Sequence, residues 1–238
     1  MADADGLPAP VARPVRTRRG RQAEAARNDL VVLAAAREVF AEQGADAPVA
    51  AVAERAGVGI GSLYRRYGSK EDLLRYLCLV ALRQAVADAE AGLTVPDPWE
   101  GLAGFIRASV AAGTGSLGPL AGAIETTPEM WQASRRGQEL LSLLVERARA
   151  AGAVRADVTA LDVAHLIELF GRLGPAGAAG LAGAGPAGAG PAAEERVIRQ
   201  RLLAIALDGL RSVSVAGELP GPAPTVAYYE GRWVKRPS

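Results

Sequence analysis

The sequence predicts an all-α fold: a small N-terminal head of three helices, joined by a linking fourth helix to a larger helical domain. Three observations carry this. Apolar residues recur at three- and four-residue spacing through most of the chain. Capping residues and glycines bracket those stretches, and no run alternates apolar with polar residues as a half-buried strand does. With 238 residues, 50% hydrophobic and 22% charged, the chain has material for a sizeable core and one or two domains.

The first helix is marked by Val32, Leu33, Ala36, Val39 and Phe40 on one face and is stopped by Gly44. Pro48 sits well at a first helical position, with Asp46 as a cap, and Val49, Val52, Ala53 and Ala56 mark the buried side of a second, short helix. Gly57 breaks the chain, and Ile60–Tyr67 forms a third short helix that ends at Gly68. Ser69 is an N-cap, and Asp72 three residues on completes something close to a capping box for a longer helix. Leu73, Leu74, Leu77 and Val80 supply its stripe. Further helices are read from Pro96–Pro98 to about Ala112, near Leu120–Glu125, and over about 128–151, where Thr127–Pro128 is a cap-and-first-position pair. Two more run from Thr159 to about Arg172 and over about 192–213, and between them 174–191 is a Gly/Ala/Pro stretch too poor in bulky side chains for a core. The tail 214–238 reads as extended.

Total charge is uninformative at +1, but its distribution is not. From Arg13 to Arg27 six arginines (Arg13, Arg16, Arg18, Arg19, Arg21, Arg27) face only Glu24, and residues 1–27 read as a disordered arm able to lie on a polyanion. Cys78 is the lone cysteine and His165 the lone histidine, leaving little for a disulfide, a zinc site or His-based catalysis. No signal peptide and no stretch of about 20 strongly apolar residues is seen, so a cytoplasmic protein with no membrane span is expected. GTGSLG at 113–118 matches a dinucleotide fingerprint in letters, but a helix precedes it and Pro119 follows, so it reads as an interhelical loop.

AVAERAGVGIGSLYRRY, two short helices about a tight glycine turn, has the form of a helix-turn-helix. Ala53 is small where the helices cross, and Val58 and Leu63 anchor the second to the first. That leaves Gly59, Gly61, Ser62, Tyr64, Arg65 and Arg66 exposed, with Lys70 nearby, on a surface suited to phosphates and a major groove.

With VFAEQGAD closing the first helix and PVAAVAERAGVGIGSLYRRYGSKEDLL following, residues 28–80 resemble the TetR family of bacterial transcriptional regulators. The resemblance implies a DNA-binding domain over about 28–75 and an effector-binding and dimerisation domain over about 76–213. It also implies roles by position. Gly59, Ile60, Gly61 and Ser62 face base edges, Tyr64 touches the DNA backbone, and Lys70 binds phosphate. Tyr67 stands where the family prefers phenylalanine, so packing with at most a hydroxyl to phosphate is expected, and Val49 joins the DNA-binding set at the start of the second helix. Arg65 and Arg66 replace a common aromatic and a histidine; they read guanine, hold phosphates, or form a solvated pair. Pro48 replaces a frequent threonine and removes one hydroxyl contact.

The implied partners are double-stranded operator DNA, a second copy of the chain through the last two long helices, and a small-molecule effector. No cofactor, metal or catalytic residue is expected. Trp99, Phe105, Met130, Trp131, His165 and Phe170 are candidate effector walls, with plain core as the alternative for each. Two other readings stand beside an effector-released repressor: a non-specific nucleoid-type DNA binder, and a small-molecule-binding protein or enzyme on a helical scaffold.

Overall fold

A computed structural model describes residues 18–120, 122–172, 191–212, 218–231 and 233–234. The chain runs through α1 (Arg18–Gln43), α2 (Val49–Ala56), α3 (Ile60–Tyr67), α4 (Lys70–Thr94) and α5 (Pro98–Ala111). A 3₁₀ segment (Thr114–Leu120) leads to α6 (Pro128–Ala150), α7 (Ala160–Arg172), α8 (Pro191–Leu210) and α9 (Val226–Gly231). Among the described residues there is no strand, only an isolated bridge between Val154 and Arg211.

Most boundaries fall where the punctuation places them. Gly44 and Gly57 take positive φ (77° and 65°) and close α1 and α2. The Ser69 hydroxyl accepts the Asp72 N–H at 3.0 Å, and Thr127 and Asp97 cap α6 and α5 in the same way. α2 has no side-chain cap, and Pro48 is its N-cap rather than its first helical residue.

Three expectations are corrected. Helix α1 starts at Arg18, inside the stretch expected to be a disordered arm; residues 1–17 of that arm lie outside the described residues. Gln22–Arg27 is rich in strong helix formers, so the helix fixed by the buried Val32–Phe40 stripe propagates backwards. Among the described residues of the stretch near Leu120–Glu125 no α-helix forms, and Leu120 instead ends the 3₁₀ segment. The Thr114 and Ser116 hydroxyls donate to the Ser109 and Gly113 carbonyls at 2.6 and 2.7 Å, favouring the tight 3₁₀ turn just before, and Gly122 turns left-handed at φ 76°. The tail is not simply extended. Asp157 accepts the Leu219 N–H at 2.8 Å, Thr225 caps the short α9, and Trp233 returns to the protein body. The 174–191 loop lies outside the described residues except for Pro191, which opens α8.

Two apolar cores result. The first joins Val32, Val39 and Phe40 of α1, Val52 of α2, Leu63 of α3 and Leu73 and Leu77 of α4, and it continues into Leu117, Leu120, Ile124 and Met130. The second joins Leu102 and Ile106 of α5, Leu144 and Val145 of α6, Val158, Val163 of α7 and Leu207 of α8. Helix α4 serves both: Ala81 ends its share of the first core and Ala89 belongs to the second. It crosses α5 at glycines, where a Cβ added to Gly101 would stand 2.4 Å from the Gly92 carbonyl oxygen. Arg147 of α6 seals the turn after α4, donating to the carbonyls of Leu93, Val95 and Pro96 at 2.7–2.9 Å.

Candidate nucleic-acid interface and effector cavity

Helix α3 is held by one side and open on the other. Leu63 is 3% exposed and fastened in the first core, while Ile60 and Tyr64 are 44% and 47% exposed. Gly59, Gly61, Ser62, Arg65 and Arg66 are exposed as well, so the side away from Leu63 is free along the length of the helix. The Arg65 guanidinium donates to the Ser62 hydroxyl at 3.0 Å, which orders both groups on the open face. Lys70 stands at the start of α4 beside it, half-buried and without an ion pair among the described residues.

Three other cations near the head are paired. Arg66 pairs with Asp29 of α1 and lies 5.9 Å from the Tyr67 ring centre, so it ties α3 to α1. Arg55 grips Glu42 with two hydrogen bonds of 2.8 and 2.9 Å, which hold the Glu42 carboxyl below its ordinary range. Arg75 pairs with Glu71 and Asp72 and donates to the Glu125 carbonyl at 3.2 Å, linking α4 to the segment before α6.

Two residues of the expected DNA-binding set do not offer their side chains. Val49 is 6% exposed, because the first turn of α2 leans on α1 and its side chain joins the first core. Tyr67 packs against the first core and against Tyr76 (ring centres 5.6 Å apart), and its hydroxyl is buried without a partner. Burial is the main cause that raises the Tyr67 pKa.

The cavity lies behind the head, among α4, α5, α6, α7, the 3₁₀ segment and the tail, with a volume of about 170 Å³. Of the candidate effector walls, Phe105, Met130 and Trp131 line this cavity, and Trp99, His165 and Phe170 do not. Trp99 is buried in the second core with the Arg211 guanidinium 4.8 Å from its ring centre. His165 meets Glu168 at 3.6 Å and the Tyr228 ring at 6.1 Å, and Phe170 is core. Sequence reasoning missed Ser109, Gln138, Glu168 and, from the tail, Glu230 and Trp233. The tail did carry a signal: Tyr228, Tyr229 and Trp233 crowd together in a chain that is 5% aromatic.

Head and cavity meet near the end of α5. Arg37 of α1, half-buried, donates to the Ala112 carbonyl just before Thr114, a cavity residue. Cys78 stands at the same junction, and burial pushes its thiol up to about 12.

A helix-turn-helix head with one open recognition face, mounted on a helical body that encloses an apolar cavity, is the build of a DNA-binding transcriptional regulator. The model of the bacterial regulatory proteins of the tetR family matches residues 32–77, and the SbtR-like transcriptional regulator C-terminal domain matches residues 97–212. The chain belongs to the TetR family. A TetR regulatory protein from Mycobacterium vanbaalenii has a similar structure (27% identity, TM-score 0.51, 80% of this chain and 99% of that one). So has the ketosteroid transcriptional regulator KstR2 of Mycobacterium tuberculosis (25% identity, TM-score 0.51, 78% of this chain and 95% of that one). A search of curated proteins gave no match. Among the described residues no helix is long and apolar enough to cross a membrane.

Proposed function

We propose that this protein is a homodimeric repressor that binds a near-palindromic operator and leaves it when a small molecule fills the cavity. The observation that carries the reading is the open face of α3: Ile60, Ser62, Tyr64 and Arg65 side by side, with Lys70 at the rim. Apart from Arg65 these groups offer few bidentate bonds to bases, so apolar contact with thymine methyls, close backbone approach through Gly59 and Gly61, and DNA shape set the preference. Lys70 and the uncapped first turn of α2 meet phosphates.

One such head is too small an interface for tight specific binding. A second copy is supported by α8, which leaves Val197, Ile198, Leu202 and Ile205 exposed at 43–63%, with Leu169 of α7 at 56%. Paired across a two-fold axis, those faces would hold two heads about 35 Å apart, one helical turn of DNA. An effector that favours another head spacing by about 3 kcal/mol lowers operator occupancy more than about a hundredfold.

Selection of bound duplexes from a random pool tests the reading. The expected product is an inverted repeat, bound at least about 10³ times more tightly than random duplex at the same salt. A smaller ratio supports non-specific binding instead. Leu202→Glu is expected to give monomers by sedimentation and to lose the repeat; a dimer that persists refutes the α8 interface.

A further inference from the structure

The cavity's lining carries information about what it binds, on the reading that it is the effector site. Its walls are mainly apolar, with the flat rings of Phe105, Trp131 and Trp233 among them. Its volume of about 170 Å³ is near the roughly 150 Å³ of an engineered cavity that accepts a benzene ring. Two buried polar groups on those walls lack hydrogen-bond partners: the Ser109 hydroxyl and the Gln138 amide nitrogen. Ser109 is only 1% exposed, and its hydroxyl does not use the back-bond to its own helix that a buried helical serine ordinarily makes. A single side-chain rotation redirects it. Charge on the walls is one-sided. Glu168 and Glu230 contribute carboxylates, while no described lysine, arginine or histidine lines the cavity. Glu168 already faces the His165 imidazole at 3.6 Å.

We propose that the effector is an uncharged molecule with a compact ring body and one hydroxyl or carbonyl oxygen, and that Ser109 and Gln138 receive this oxygen. Buried donors left unpaired are satisfied by an oxygen on the ligand and stay unsatisfied by a pure hydrocarbon. A carboxylic acid or phosphate would bring its charge against described walls that hold no lysine, arginine or histidine to receive it. An organic cation gains from the carboxylates but leaves the Ser109 and Gln138 pair unused, and its charge would have to be carried among apolar rings.

The test uses the full chain, without DNA, and four probes on one skeleton: naphthalene, 2-naphthol, 2-naphthoate and 2-naphthylmethylamine. Binding is read by calorimetric titration and by quenching of tryptophan emission, since Trp131 and Trp233 line the site. The expected order puts 2-naphthol first by about tenfold over each of the others. Ser109→Ala is expected to cut the preference for naphthol over naphthalene at least about fivefold while leaving naphthalene binding unchanged, and Gln138→Met to do the same independently. Equal or tighter binding of the naphthoate or the ammonium, an unchanged preference in both variants, or no binding by any of the four overturns the proposal. In a second titration, with the selected duplex present, naphthol binding with no effect on duplex affinity overturns the effector role of the cavity and leaves this assignment of its chemistry standing.

Discussion

Replacing Gly101 or Gly104 by alanine separates helix propensity from helix packing within one element. Both glycines lie in α5, three residues apart. A Cβ at Gly104 has nothing within 4 Å, whereas at Gly101 it stands 2.4 Å from the Gly92 carbonyl oxygen and 3.7 Å from the Val95 Cβ. Each substitution gains about 0.5–1 kcal/mol from the lower conformational freedom of alanine. At Gly104 that gain is the whole effect. At Gly101 the helices must part by about 1 Å to restore ordinary contact, and the obstacle is backbone, which cannot rotate away. Overpacking of this kind costs about 3 kcal/mol, the upper part of the usual range. Gly104→Ala is therefore expected to be more stable than the parent by about 0.5–1 kcal/mol and Gly101→Ala less stable by about 2. The difference between the variants, about 3 kcal/mol, is free of propensity. It corresponds to about 6–12 °C in Tm at this chain length, read by circular dichroism at one protomer concentration. Variants that melt within about 2 °C of each other would refute the tight crossing of α4 and α5.

Three further outcomes are expected. Lys70→Ala weakens binding to every duplex alike and lowers the salt slope by about one, whereas Arg66→Ala leaves the slope unchanged because Asp29 already neutralises it; equal slopes for Lys70→Ala and the parent would remove that lysine from the interface. Cys78, with its thiol pushed up to about 12 by burial, resists a thiol reagent at pH 7 until the protein unfolds, and rapid labelling of the native protein would contradict its placement. Asp157 is held below the usual carboxylate range, first by the Arg155 hydrogen bond and then by the Leu219 N–H. Its contribution is present above the ordinary Asp value near 3.9 and is lost only as pH falls through the lower folded value, so amide exchange at Leu219 has constant protection between about pH 5 and 7. Asp157→Ala removes that protection at pH 7, and a loss already in the wild type across this window would refute the tether.

The head was legible because its signals are local. Gly44, Gly57 and Ser69 act through their own backbone or cap, and Leu63 points inward by helical spacing alone. The burial of Val49 was not legible because it depends on where α1 comes to rest, whereas the packing expected of Tyr67 is found, against the first core and Tyr76. The cavity was only partly legible for a similar reason. Trp99 and Phe105 share α5, but six residues turn the helix by about 240°, so Phe105 lines the cavity and Trp99 turns into the second core. On α7 the lining face is Ala164, Ile167 and Glu168, at i, i+3 and i+4, which passes over both His165 and Phe170. Ser109 and Gln138 are unremarked residues in their own helices and come to line one cavity only when α5 meets α6. The tail's part was hidden by its prolines, which argue for extended chain but do not say where it docks.

Arg37 has a mechanical consequence. The head is fixed to the body along α4, and a second time along α1, where the Arg37 guanidinium holds the Ala112 carbonyl and the first core runs on into Leu117 and Leu120. An object pinned at one place is able to swivel in any sense; pinned at two, it is left with rotation about the line through both pins. On the proposed reading, a ligand beside Thr114 would turn the reading head about one axis, and the pitch between the two heads of the proposed pair would become a single adjustable angle.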